Sequence, residues 1–311
     1  MARNKTPFPH APFSFGLDRP TTGRVFYVNS AAANASDGNL GDSPDRPLAT
    51  LDGFFNHPDL TANNGDTCYV MPNHAETVTG VGGITADVAG VRVVGLGRGA
   101  QRPRFLMDGA TTVTFVVSAA DVELENLVFA GGHNTIATCF NVDALNFSAL
   151  NLEFEDNAAD EHFIFCFDVG SATDDTCDGL TIVGCRYVTV DTGVTHFINL
   201  TGNTTGAVIT DNFYCADAAT GAQLLVQAAA DSLFGLQFLR NTLITGATAV
   251  DLLIENDQSD NTGIAAYNLA GHHDTAAAVL VDCDGIRQFE NYSTASDTAS
   301  GVLDPDADTD T

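Results

Sequence analysis

The sequence predicts an all-β fold, a single-stranded parallel β-helix, on three observations. First, a short pattern recurs eight times between Gly90 and Ser293: apolar, any, apolar, two of any, apolar, Asn or Cys, any, apolar. The copies begin at Val91, Val122, Phe147, Leu180, Ala207, Leu236, Thr262 and Asp284, with third positions spaced 22 to 33 residues apart. A period in that range marks stacked repeats, and the period-two alternation within each copy marks a strand with one face buried. Second, another apolar series lies between the copies: TFVV, CFNV, FIFCF, HFINL, QLLV, DLLI and AVLV, beginning at Thr114, Cys139, Phe163, His196, Gln223, Asp251 and Ala278. Each repeat is therefore expected to carry two strands joined by small and polar turns. Third, no helix-length amphipathic segment interrupts them. That excludes Rossmann and TIM-barrel architectures, which need a helix at every crossover. Rungs stacked at about 4.8 Å would make a rod on the order of 40 Å long.

Taken in order, residues 1–24 follow neither series. Pro7, Pro9, Pro12 and Pro20 impose an extended backbone, and Phe8, Phe13, Phe15 and Leu17 give it apolar teeth. Arg3, Lys5, Arg19 and Arg24 against Asp18 make this arm basic on a chain of net charge −28. A basic, aromatic-bearing arm on an acidic body is expected to dock on another acidic protein, with Arg3, Lys5, Phe8, Phe13 and Phe15 as the docking residues. The competing reading folds the arm back along its own body.

Residues 25–80 form an entry module. VFYVNS reads as a strand. SDGNLGDSPDRPLATLDGFF reads as a turn-rich loop running into a short helix from about Leu48 to Phe55, and NNGDTCYVMPNHAETVTG as a turn and first rung. This order resembles the entry module of right-handed β-helix proteins of the pectate-lyase-like superfamily. There a "DG…G…P…T" loop leads into a capping helix and then "GD…V…P…H/Y…E". The wording PNHAETVTG is most similar to versions found in virion proteins of tailed viruses. The resemblance implies a right-handed helix with a short N-terminal capping helix. It says little about activity. The rungs proper are expected over residues 90–293 of a body spanning 25–295. The acidic stretch 296–311, ending DPDADTDT, lacks a core pattern and reads as a draped or disordered tail.

Charge bounds the partners. With 40 acidic residues, 12 basic ones and Lys5 as the one lysine, nucleic acid and anionic membrane are excluded as partners. Asp-rich turns explain part of the excess. Adaptation to a high-salt solvent explains it as well, since about 1 M salt shortens the screening length to about 3 Å. No apolar run approaches 18 residues, and neither a membrane span nor a secretory leader is expected. The seven cysteines fall at irregular spacings without a CxxC, and most lie in strand patterns. They read as free buried thiols, with Cys139 and Cys166 stacked on adjacent rungs.

Chemistry is harder to find. In the superfamily that the entry module resembles, lyases pair calcium-binding aspartates with a basic residue and hydrolases use paired carboxylates. Glu123 and Glu125 flank Leu124 and point outward, with Glu153, Glu155 and Asp156 one rung on. They read as a solvated acidic face, although such spacing can reach glycosidase separations. Arg92, Arg186, Arg240 and Arg287 do not sit obviously amid stacked Asp. Trp is absent, and the 20 Phe fall mostly at inward positions, as at Phe115, Phe129, Phe154 and Phe238, which leaves no aromatic platform for sugars. His133 and the His272-His273-Asp274 turn are too many rungs apart to share a metal. His162 and His196 read as hydrogen-bonded turn residues, and Asn126, Asn151, Asn212 and Asn241 as a corner ladder. No catalytic residues and no cofactor are expected; a structural cation is the one bound species left open. The expectation is a virion structural protein of a tailed virus. It would be a capsid decoration or turret protein, homotrimeric, assembled in the host cytoplasm and docked on the major capsid protein or another virion protein. The alternative is a tailspike that binds or cleaves surface polysaccharide.

Overall fold

The computed structural model describes residues 21–170, 176–189, 193, 196–216, 223–227, 231–245, 251–256, 260–272, 279–293 and 301–302. Among them the chain winds through three sheets in turn, as a single-stranded parallel β-helix. The first sheet has ten strands, from Val25–Val28 to Ile286–Phe289. The second has eight, from Ile84–Ala86 to Val279–Cys283, and the third has ten, from Ala75–Thr79 to Gly301–Val302. Neighbouring turns pair in parallel, apart from the final antiparallel contact between Tyr292–Ser293 and Gly301–Val302. Stacking begins ahead of the eight sequence copies, because Val25–Val28 already pairs with Thr67–Val70.

The expectation of two strands per repeat is corrected to three, and the reason lies in one residue. Each copy turns a corner instead of running straight. In VELENLVF, Glu123–Glu125 belongs to the first sheet and Val128–Gly131 to the third, with Asn126 between them at φ 58°. Asn151, Gly184, Asp211, Arg240, Tyr267 and Glu290 take the same left-handed conformation on successive turns. A left-handed residue breaks the pleat and sends the chain onto the next face. Gly, Asn and Asp adopt it at least cost.

The corner ladder is real but lies partly one position further on. Asn126 and Asn151 are the bend residues themselves, bonded Asn151 Nδ2 to Asn126 Oδ1 at 3.2 Å. The buried ladder is Asn212, Asn241, Asn268 and Asn291, on the position that Leu127, Leu152 and Cys185 hold in earlier turns. Asn241 Oδ1 accepts from Asn212 N and Nδ2, both at 3.0 Å, and its Nδ2 donates to Ile209 O at 2.9 Å and Asn268 Oδ1 at 3.2 Å. Asn241→Leu supplies the residue type of the upper turns but orphans these buried groups, each worth roughly 1–3 kcal/mol. Urea denaturation of this variant is expected to show a loss of about 3 kcal/mol. A loss below about 1 kcal/mol would mean that the ladder is decorative.

The interior is built from aromatic stacks. Phe105, Phe129, Phe154, Tyr187 and Tyr214 face inward on five consecutive strands of the third sheet, with ring centroids 5.2, 6.2, 6.2 and 6.0 Å apart. Opposite them on the second sheet, Phe115, Phe140 and Phe167 stack at 5.1 and 5.3 Å. Phe115, Phe129, Phe154 and Phe238 are all buried, as their inward phase requires.

A helix closes the N-terminal end, but it is shorter than expected and spans Leu51–Phe55. Leu48 instead bridges to Val28, and Asp37 Oδ1 accepts from Ala49 N and Thr50 N, both at 2.9 Å, so the chain stays extended until Thr50 caps the helix through Gly53 N. Leu51, Phe54 and Phe55 seal the core beneath. The module's motif residues are its fasteners. Asp66, fully buried, accepts from Arg24 N, Thr61 N and Asn64 Nδ2. His74 Nδ1 accepts from Ser30 N at 2.9 Å, so its Nε2 carries the proton given to Glu76, whose Oε2 also takes Leu51 N. Residues 21–24 of the expected arm are tied to the body as well, through Thr21 to Gly65 O and Arg24 to Asp59.

Candidate functional site

Among the outward acids of the middle turns, Glu123 and Glu125 are not a solvated face. The cross-strand register places Arg92 beside Glu123, with Glu125 two residues on along the same strand. Arg92 Nε binds Glu123 Oε1 at 2.6 Å and Nη2 binds Glu125 Oε2 at 2.5 Å, with side-chain exposures of 14%, 21% and 10% for Arg92, Glu123 and Glu125. The reading of Glu123 and Glu125 as solvated is therefore corrected: one guanidinium on the preceding rung spans both, and all three side chains are largely buried. Removing one member of such a pair strands the other in a low-dielectric site. Arg92→Gln is expected to lower stability by about 2 kcal/mol in urea denaturation. No measurable change would restore the solvated-face reading.

A second cluster lies on the outward face of the third sheet. Arg102 Nη1 binds Glu153 Oε2 at 2.6 Å while its Nη2 donates to Leu127 O and Asn151 O. Arg104 Nε binds Glu155 Oε1 at 2.5 Å and its Nη2 donates to Asn157. Arg186 reaches Glu153 Oε1 at 3.3 Å and lies 5.5 Å over the Phe213 ring. Strand pairing explains the convergence, since Arg104, Val128, Glu153 and Arg186 follow one another across four adjacent strands. With Gly99 and Ala100 of the preceding turn, Arg102, Arg104, Val128, Glu153 and Glu155 line an open cavity of about 400 Å³. Burial pushes the Arg102 guanidinium below its usual value, against the upward pull of Glu153. Its buried Nε has no hydrogen-bond partner.

Two glutamates two residues apart on one face are the raw material of a glycosidase pair, in which one carboxyl must carry a proton to the leaving group. Here Glu153 and Glu155 each accept from guanidinium groups. Sequence reading missed Arg102 and Arg104. The usable signal was QRPRF against LEFED, two alternating charged pairs about two repeats apart. Asp156 sits elsewhere and accepts from Tyr187 Oη at 2.7 Å.

The remaining candidates are dispersed. His133 Nδ1 contacts Asn134 O in its turn. His162 is buried ahead of Phe163–Val169. His196 opens the strand His196–Leu200, as the second apolar series places it, stacked on Phe165 at 5.3 Å. His272 ends a strand, and His273 and Asp274 lie outside the described residues. Among the described residues no group of three or more His, Cys, Asp and Glu could hold a metal ion. Cys68, Cys139, Cys166, Cys177 and Cys185 are free and buried, and Cys139 and Cys166 occupy equivalent places on paired strands. Burial pushes the Cys68, Cys139 and Cys166 thiols well up and that of Cys185 to about 12, so they act as small apolar side chains. The docking residues Arg3, Lys5, Phe8, Phe13 and Phe15 lie outside the described residues.

No protein-family model and no curated protein matches the chain. Among solved structures it is similar to a GH136 lacto-N-biosidase from Eubacterium ramulus, with 14% identity and a TM-score of 0.54, over 87% of this chain and 56% of that one. The chain thus spans little more than half the length of that enzyme. A rhamnogalacturonan lyase aligns over 90% of both chains, with 14% identity and a TM-score of 0.42. At such identity the first likeness shows the fold alone, a parallel β-solenoid.

Proposed function

We propose that this chain is a non-enzymatic structural protein of a tailed virus particle, a capsid decoration or turret rod docked by its N-terminal arm. The observation that carries the non-enzymatic half is the pairing of Glu123, Glu125, Glu153 and Glu155 with Arg92, Arg102 and Arg104. Outward carboxylates held this way stiffen a rod, and these four glutamates are each committed to a guanidinium. The virion half is supported by the entry-module wording, with PNHAETVTG closing the first turn, and by the basic arm on an acidic body. A second reading, a spike that contacts surface polysaccharide, is favoured by the cavity itself. Two arginines and two glutamates around about 400 Å³ suit a hydroxyl-rich ligand.

Imaging of particles labelled on this protein distinguishes the two. Label spread over the head at regular positions is expected. Label confined to the tail tip, together with a depolymerase activity lost in Glu153→Gln with Glu155→Gln, would replace the structural reading with the spike.

A further inference from the structure

The turn that leads into Thr67–Val70 joins two residues that each have a structural reason to be there. Asn64 donates from Nδ2 to Asp66 Oδ1 at 2.7 Å. Gly65 holds φ 78°, and a side chain on it would run into Thr22 Oγ1, so only glycine fits. Together they make the one Asn-Gly pair in the chain. An asparagine amide is chemically labile, and most so where the next residue has no side chain to shield its backbone nitrogen. Here Asn64 is exposed, and among the described residues Gly65 N has no hydrogen-bond partner to hold it. The same turn carries the root of the N-terminal segment. Gly65 O accepts from Gly23 N at 3.2 Å and from Thr21 Oγ1 at 2.9 Å, and Asn64 O accepts from Thr22 Oγ1 at 3.2 Å. Asp66, fully buried, takes Arg24 N at 2.6 Å on the same Oδ1 that takes Asn64 Nδ2.

We propose that Asn64 is a site of self-modification, and that its conversion to an acid loosens residues 21–24 from the body. Gly65 N attacks Asn64 Cγ, the Cγ–Nδ2 bond breaks, and the side-chain nitrogen leaves as ammonia with the proton from Gly65. A succinimide ring remains. Water opens it at either carbonyl, to aspartate or to isoaspartate. Water is the one co-reactant, and no electrons change hands. Either product loses the Nδ2 donor and sets a second carboxylate against buried Asp66. Like charges crowded into one buried site disfavour each other, and the groups seated on that site give way with it. Isoaspartate also adds an atom to the main chain, which shifts the Gly65 carbonyl from Thr21 and Gly23. The turn thus acts as a slow clock on how long the N-terminal segment stays seated. The inference stands on this turn alone and does not depend on the virion reading.

Ageing the purified full chain at mildly alkaline pH tests it, read by peptide mapping in the mass spectrometer and by trypsin cleavage after exposed Arg24. Asn64 is expected to convert ahead of every other asparagine, to a mixture of aspartate and isoaspartate. Cleavage after Arg24 is expected to run about tenfold faster in the aged chain than in the fresh one, the increase that roughly 1.4 kcal/mol of lost local stability gives. Asn64→Gln, whose longer side chain closes the ring far more slowly, is expected to keep both its amide and its slow cleavage through the same ageing. Asn64→Asp is expected to be cut at the fast rate from the start. Should that variant fail to fold, the aged wild-type chain, modified after folding, supplies the same comparison. An Asn64 that is still an amide when other asparagines have converted overturns the proposal. Conversion of Asn64 with cleavage after Arg24 unchanged overturns it equally.

Discussion

Replacing Phe140 by alanine is expected to cost about 4 kcal/mol. Phe140 is fully buried midway along the rod. Its ring lies 5.1 Å from Phe115 and 5.3 Å from Phe167 along its own sheet, and 4.7 Å from Phe129 and 6.1 Å from Phe154 across the core. Phe147 closes the shell at 6.2 Å. Truncation removes the apolar transfer term and leaves a cavity that rigid β-turns above and below collapse poorly. Phe→Ala changes ordinarily cost about 3–5 kcal/mol, and aromatic pairs each add about 0.5–1.5 kcal/mol beyond area. Stability in a stacked array is passed from turn to turn, so a gap here weakens coupling between the two halves. Urea denaturation followed by circular dichroism should show the midpoint falling. Phe140→Leu, which refills most of the volume, should recover more than half of the loss. A change below about 1 kcal/mol in the alanine variant would mean that the stacks do not carry the core.

The stacking of turns was legible because its signal is periodic. Inward Phe129 and Phe154 recur at the repeat spacing on one sheet, as Ile209 and Phe238 do on another, and burial follows from alternation alone. The third sheet was not legible, because its strands sit inside the same copies as the first. The break between them is a single left-handed residue that is Asn on some turns and Arg240, Tyr267 or Glu290 on others. No residue-type rule finds a bend held by tertiary pairing. The capping helix was placed in the right stretch but begun three residues early, because the Leu48 bridge and the Asp37 bonds are long-range contacts. The ion pairs were the least legible. Glu123 meets Arg92 across 31 positions and Glu153 meets Arg102 across 51, so their partners emerge only once the rungs are in register.

Deleting residues 1–20 is expected to leave the rod folded and to abolish its attachment to the particle, the second large effect. The cut spares Thr21 and Arg24, whose bonds to Gly65, Asp59 and Asp66 belong to the entry module. It removes Arg3, Lys5 and Arg19 together with Phe8, Phe13 and Phe15. A Pro-rich segment is already extended, so it loses little entropy on docking. In about 1 M salt the charges are screened to about 3 Å, which leaves the aromatic anchors to hold, each worth about 2 kcal/mol or more when buried. The decisive measurement is capture of full-length, arm-deleted and Phe8→Ala/Phe13→Ala/Phe15→Ala chains on undecorated capsids at that salt. Retention of the full-length chain is predicted, with loss of at least 100-fold in affinity for the other two, the ratio that roughly 2.7 kcal/mol gives. Full binding by the arm-deleted rod would contradict docking through the arm and place attachment on the β-helix body or the acidic tail.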